Sequence, residues 1–167
     1  MAKLKVPYVQ QSRGDTCMAA ALSAIYNYYG VDRSEMDIWQ KRKRKRPEAD
    51  GDFIWVSDLV NDAKENGFDA EWVKVDLSKV AIVKNTLQQL KYNEVPVIVC
   101  NQYTKEQPKI GHARIITDIS NTSIYMHDPD PKIGGASQRW DWNTFMDSWQ
   151  PSGEEVVGGV YIIVKKK

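Results

Sequence analysis

Residues Gln10–Gly30, QQSRGDTCMAAALSAIYNYYG, decide how the rest of the chain reads. From Met18 to Tyr29 only Ser23, Asn27 and the tyrosine hydroxyls are polar, and Ala19, Ala20, Ala21, Leu22, Ala24 and Ile25 leave no wide polar stripe. That pattern predicts an enclosed helix rather than a half-exposed one. Asp15 or Thr16 is the expected N-cap, and Gly30 the left-handed stop. Cys17 then falls in the first turn, where free backbone N–H groups and the positive end of the helix dipole favour an anion. A thiol so placed ionises more readily and is a better nucleophile at neutral pH. Free cysteines more often simply pack, so the reading turns on a base further along.

The bulk figures bound the classes. At 167 residues the chain fits a single domain over 1–167 with a substantial core. A hydrophobic share of 42% and a charged share of 27% are those of a globular protein, which excludes disordered and fibrous classes. Lys+Arg 23 against Asp+Glu 22 leaves a net charge of +1, so no global field draws the chain to nucleic acid or membrane. Cys17 and Cys100 make no disulfide scaffold and no CxxC pattern, and His112 and His127 are too few for zinc; no cofactor is expected. The N-terminus lacks the apolar core of a signal peptide, and no run approaches the ~18 apolar residues of a membrane span. As written the chain reads as cytoplasmic. Its start, almost directly on the first important loop, equally suits a domain cut from a larger secreted protein.

Outward from the central helix, Pro7 biases Val6 toward an extended lead-in. Ser34 caps a second helix that turns Met36 and Trp39 inward and runs into Lys41–Arg46, six consecutive basic residues ended by Pro47. Such a run can bind nucleic acid, but a solvated face is the commoner outcome where no aromatics interleave. Glu48–Gly51 reads as a turn, Ser57 as the cap of a third helix, and Gly67 as its end. Ala70–Val75 alternates as a half-buried strand with Trp72 inward, and a helix from Ser78 or Lys79 to Lys91 sets Ile82, Val83, Leu87 and Leu90 on one face. From Pro96 strands take over: apolar Val97–Cys100, then Arg114–Ile119 and Ile124–Met126 joined at Asn121–Ser123. A long Pro/Gly loop, a short helix over Asp141–Trp149 and a strand over Gly159–Val164 follow. Helices first and antiparallel strands second predict an α+β fold, with the central helix of an N-terminal helical half packed on a C-terminal antiparallel sheet.

A cysteine nucleophile needs a base, and the base needs an orienting group. His112 opens one arm of the hairpin and Asp128 closes the other, a diagonal neighbour within about 5–8 Å unless a bulge shifts the register. His127 adjoins Asp128 and so points to the opposite face, as a surface or packing histidine. Asp118 lies about 20 Å along the strand from His112, out of reach and solvated. Cys100, in an apolar strand, reads as core. Gln11, upstream of Cys17, can curl over the helix N-terminus and join the Cys17 N–H in holding an oxyanion; Gln10 is the rival.

VPYVQQ…DTCMAAALSAIYNYYG, VPVIVC, GHARIITDI and IYMHDPD resemble, in order and across nearly the whole chain, the papain-fold cysteine peptidases of the bacteriocin-processing (double-glycine) group and its stand-alone relatives. The resemblance implies Cys17 as nucleophile, His112 as base, Asp128 as orienting acid and Gln11 as oxyanion donor, with a peptide or protein as substrate. Met18 departs from the glycine usual after the cysteine, which implies a narrower cleft. No transporter membrane segments follow, so leader removal during export is not implied. Two other classes stay open. One is a peptide-binding module of the same fold with an unreactive cysteine. The other is an effector or toxin domain, for which a cognate inhibitor or immunity protein is expected. No membrane partner is expected, and nucleic-acid binding through Lys41–Arg46 ranks last.

Overall fold

In the computed structural model, which describes residues 3–47 and 50–167, the apolar run forms helix α1, Cys17–Tyr28. Cys17 and every residue from Ala19 to Tyr26 are buried, and Gly30 follows at a φ of +80°, the left-handed stop that needs no Cβ. Thr16 holds the N-cap position without a side-chain bond back to the helix. Its hydroxyl lies 3.0 Å from Glu35 Oε2 instead.

Glu35 opens α2, Glu35–Arg42, which Ser34 caps by accepting the Asp37 N–H. The basic run continues into strand β1, Arg44–Lys45, paired with β2, Asp52–Phe53. Of the turn predicted between them, residues 48 and 49 lie outside the described residues. Helix α3, Val56–Glu65, starts ahead of the Ser57 cap predicted for it. Trp55 stands at its N-cap and makes no side-chain bond, so propensity placed that boundary late.

β3 (Phe68–Lys74), α4 (Val80–Tyr92), β4 (Val97–Gln102), β5 (Gly111–Ile119), β6 (Ser123–His127), β7 (Gln138–Asp141), α5 (Trp142–Ser148) and β8 (Val160–Lys166) complete the chain. Among the described residues six strands form one sheet, ordered β3-β8-β4-β5-β6-β7, antiparallel throughout. Ile98, Ala113, Ile115 and Ile162 face α1 and the other N-terminal helices. Val97, Val99, Ile116 and Ile163 face a second core with α4 and α5. Burial on both faces explains why β4 reads as a continuous apolar run rather than an alternating one. The α+β expectation holds. Two inward assignments do not: Ile82 is 62% exposed and Trp72 49% exposed, because α4 needs only Val83 and Leu87 to seat on the sheet and β3 is an edge strand.

The hairpin of β5 and β6 carries a decisive irregularity. Near its turn Ile119 pairs with Ile124 and Asp118 with Tyr125, yet further out Ile116 pairs with Met126 and Ile115 with His127, leaving Thr117 as an extra residue. Had the first register run on, Asp128 would stand opposite Ile115. The bulge shifts it by one, opposite Arg114 and onto the face of His112. The Thr117 carbonyl accepts the Leu4 N–H at 2.8 Å, so the N-terminal lead-in is pinned along the bulge.

Candidate active site

The lead-in carries that pinning to the site. His127 Nε2 donates to the Val6 carbonyl at 2.8 Å, Tyr8 donates its hydroxyl to the Asp128 carbonyl at 2.7 Å, and the Gln11 N–H reaches the Pro129 carbonyl at 2.9 Å. The next loop is tied to α2, since Glu35 accepts the Ser12 N–H at 2.7 Å and also the Ser12 hydroxyl. Loop Ser12–Thr16, and with it the uncapped N-terminus of α1, is therefore held from both sides before Cys17 begins.

Cys17, His112 and Asp128 converge. His112 Nε2 lies 2.6 Å from Asp128 Oδ1, with both side chains buried. The Cys17 thiol is close enough to the imidazole for each group to shift the ionisation of the other. Burial alone would push the Cys17 thiol up; the charge of His112, the hydrogen bond between them and the Ala113 N–H outweigh it, and the thiol ionises below its ordinary value. Burial likewise opposes the imidazolium, but the Cys17 charge and the bond to Asp128 push His112 up to about 9. Each shift favours the thiolate–imidazolium pair over the neutral thiol and imidazole. Burial would raise the Asp128 carboxyl, yet its bond to His112, the charges of His112 and Arg114, and the Asp130 N–H at 2.9 Å hold it below the usual carboxylate range.

Two residues in this cluster escaped sequence reasoning. Arg114, 1% exposed, donates Nε to Asp128 Oδ2 at 2.8 Å; the signal was an arginine two places after His112 in an otherwise apolar strand. Tyr103 sets its ring edge-on to His112, with centroids 5.1 Å apart, and donates its hydroxyl to Asp130 Oδ2 at 2.6 Å. Gln11 is buried beside the loop that follows Asp128 while Gln10 is exposed. The Gln11 amide donates to the Arg13 carbonyl at 2.8 Å, and its Oε1 has no partner among the described residues.

The remaining candidates lie elsewhere. His127 is a buried packing histidine, held between the Val6 carbonyl and the Ser137 N–H. Asp118 is 3.1 Å from Lys91 Nζ rather than simply solvated. Cys100 pairs with Ala113 and packs on the core around α1, with burial first and the Cys17 charge second pushing its thiol up to about 12. Five residues of the basic run have acidic partners: Lys41 and Arg42 share Glu65, Lys43 faces Asp52, Arg44 Asp58 and Arg46 Glu155. Among the described residues no group of three or more His, Cys, Asp or Glu is arranged to hold a metal ion, and no helix is long and apolar enough to cross a membrane.

Known proteins share this architecture. The peptidase domain of Streptococcus ComA, a bi-functional ABC transporter involved in quorum sensing, matches with a TM-score of 0.68 at 20% identity, over 97% of this chain and 99% of that one. A C39-like peptidase from Bacillus anthracis matches with 0.69 at 14% identity over 100% and 99%. A double-glycine-motif protease from an AMS/PCAT transporter, in complex with its leader peptide, matches with 0.68 at 16% identity over 99% and 95%. In sequence, the pediocin PA-1 transport/processing ATP-binding protein PedD of Pediococcus acidilactici is 29% identical over 126 residues, 75% of this chain; the chain spans 15% of that protein's length. The profile of the Peptidase_C39 like family matches residues 3–157, and the chain belongs to that family, a hydrolase of the cysteine-peptidase type.

Proposed function

We propose that residues 1–167 act as one peptidase domain that cleaves a peptide bond through a thioester on Cys17, with His112 as proton carrier, Asp128 as its orienting group and Gln11 as an oxyanion donor. The observation that carries this reading is the imidazole held at 2.6 Å from a buried carboxylate, close to a thiol at a helix N-terminus whose ionisation it favours. The Cys17 sulfur attacks the carbonyl carbon; as the C–N bond breaks, the imidazolium gives its proton to the departing amine. Water then loses a proton to His112, attacks the thioester and regenerates the thiol. Negative charge on the carbonyl oxygen meets the free N–H groups of the α1 N-terminus. For the Gln11 amide to join them it must turn from the Arg13 carbonyl toward the substrate.

The complex of the transporter protease with its leader peptide makes a peptide ending in a double glycine the first substrate to offer. Cleavage of such a synthetic peptide is followed by mass spectrometry. Cys17→Ala and His112→Ala should each lower turnover by about 10³-fold or more, with melting temperatures near the wild-type value. Wild-type turnover in either folded variant ends the reading.

A further inference from the structure

We propose that Arg114 is a positioning residue of this site: its guanidinium fixes the plane of the Asp128 carboxylate, and its charge cancels that carboxylate so that the Cys17 thiolate becomes the counter-ion of His112. The inference rests on the reading of Cys17 and His112 as the reacting pair, and it concerns which charge balances which.

A carboxylate that merely touches a histidine can rotate. Asp128 cannot, because Oδ1 accepts His112 Nε2 at 2.6 Å and the Asp130 N–H at 2.9 Å while Oδ2 accepts Arg114 Nε at 2.8 Å. The guanidinium is itself immobilised. Nη1 donates to Asn101 Oδ1 at 2.7 Å and to the Gln102 carbonyl at 2.8 Å, and Nη2 donates to the Tyr103 carbonyl at 2.6 Å. Asn101 is anchored in turn on Ser148 Oγ at 2.9 Å, and the Trp140 ring lies 4.8 Å from the guanidinium carbon. A strand at the sheet's centre and a helix beyond it thus set the carboxylate plane through one planar fork.

Burying an arginine is expensive, and a well-packed apolar side chain would often stabilise the fold as well. The electrostatics supply what an apolar residue would not. Without Arg114, the anions of Asp128 and Cys17 would compete for a single imidazolium. With it, Asp128 and Arg114 form a neutral couple that orients the ring, and the thiolate–imidazolium pair is left neutral by itself. The other titratable groups facing the cluster are Tyr103, Cys100, Tyr8 and the Asp130 carboxylate, none of which the test variants change. Tyr103, bonded to Asp130, and Cys100, both partly buried, are each pushed up to about 12. Burial and the two nearby carboxylates also raise Tyr8. Asp130, bonded to Tyr103, stays in place in every variant considered.

The test separates geometry from charge. The pH dependence of Cys17 alkylation by iodoacetamide reads the thiol, NMR of the His112 ring reads the imidazole, and thermal melting reads the fold. Losing a nearby cation disfavours the thiolate and favours the imidazolium, so in Arg114→Gln both midpoints should move upward, by about one pH unit. Arg114→Lys keeps the charge and loses the fork. Its midpoints should stay at wild-type values while turnover of the double-glycine peptide falls about 10-fold or more. A residue that only supported the fold would lower the melting temperature and move neither midpoint. Unshifted midpoints in folded Arg114→Gln overturn the charge role, and wild-type turnover in Arg114→Lys overturns the positioning role, a result that also decides the matter should the glutamine variant fail to fold. Failure of the underlying reading looks different: a wild-type thiol that titrates at its ordinary value and ignores His112→Ala.

Discussion

Two buried aspartates in this chain are held in nearly the same way. Asp62 on α3 is fully enclosed and accepts Arg33 on both oxygens, at 2.8 and 3.1 Å, Arg42 Nε at 2.9 Å and the Tyr26 hydroxyl at 2.6 Å. Asp128 is equally enclosed and accepts Arg114, His112 and a backbone N–H. Both carboxyls are held below the usual range against burial, Asp62 chiefly by Arg33, Asp128 chiefly by His112. The difference lies in the partners. Around Asp62 they are guanidinium groups and a phenol pushed upward by its burial and by Asp62, none of which changes charge near neutral pH. Around Asp128 one partner is an imidazole whose ionisation is coupled to that of a nearby thiol. A buried, arginine-clamped carboxylate is therefore no mark of a reaction centre. A titratable partner with a bond left to make is.

The strongest way to break that comparison is to truncate each carboxylate in turn. Asp128→Ala should cost about 10³–10⁴-fold in turnover, the scale seen when a catalytic histidine loses its orienting acid. Asp62→Ala should cost about 3 kcal/mol or more in denaturant unfolding, because the largely buried Arg33 loses its carboxylate and Arg42 keeps only Glu65, with Cys17 alkylation unchanged in the folded fraction. A slow thiol in folded Asp62→Ala would erase the distinction. Tyr26→Phe sharpens it on a smaller scale. Loss of one hydrogen bond to a charged group should lower stability by about 1.5–3 kcal/mol and leave the pH dependence of alkylation untouched. The smallest effect is in acid. Both carboxyls are depressed in the folded chain, so each contributes stability that is full above its unfolded value near pH ~4 and is lost as pH falls through the folded value. Melting temperature against pH should drop on that limb, and Asp62→Asn should flatten the drop by on the order of 1 kcal/mol.

Much of the site is legible in the residues alone because local rules govern it. An apolar run ended by a glycine has one sensible conformation, and a cysteine at its start inherits the electrostatics of a helix tip. His112 and Asp128 could be paired because both lie on one hairpin. What hid was set by tertiary partners. Nothing in ITDISNTS marks Thr117 as the extra residue, since a bulge is paid for by a contact 113 positions away, the Leu4 N–H. Arg114 looked like an ordinary strand residue until Asn101 and Ser148, from two other elements, closed around it. Glu35 carried no reading of its own, because its hold on Ser12 and Thr16 depends on how α2 packs against α1. Ile82 and Trp72 erred for the opposite reason: their periodicity suited a core, but α4 seats on the sheet chiefly through Val83 and Leu87 and β3 lies at the sheet's edge.

The single-residue bulge at Thr117 makes hairpin length and chemistry one quantity. Side chains alternate across a sheet with a period of two, so a deletion or insertion of one residue between Ile116 and His127 would deliver Asp128 to the wrong side without disturbing the turn or the apolar packing near it. Length changes by twos could keep the parity. Anyone grafting this hairpin, or reshaping its tip to bind something new, has to count in even steps.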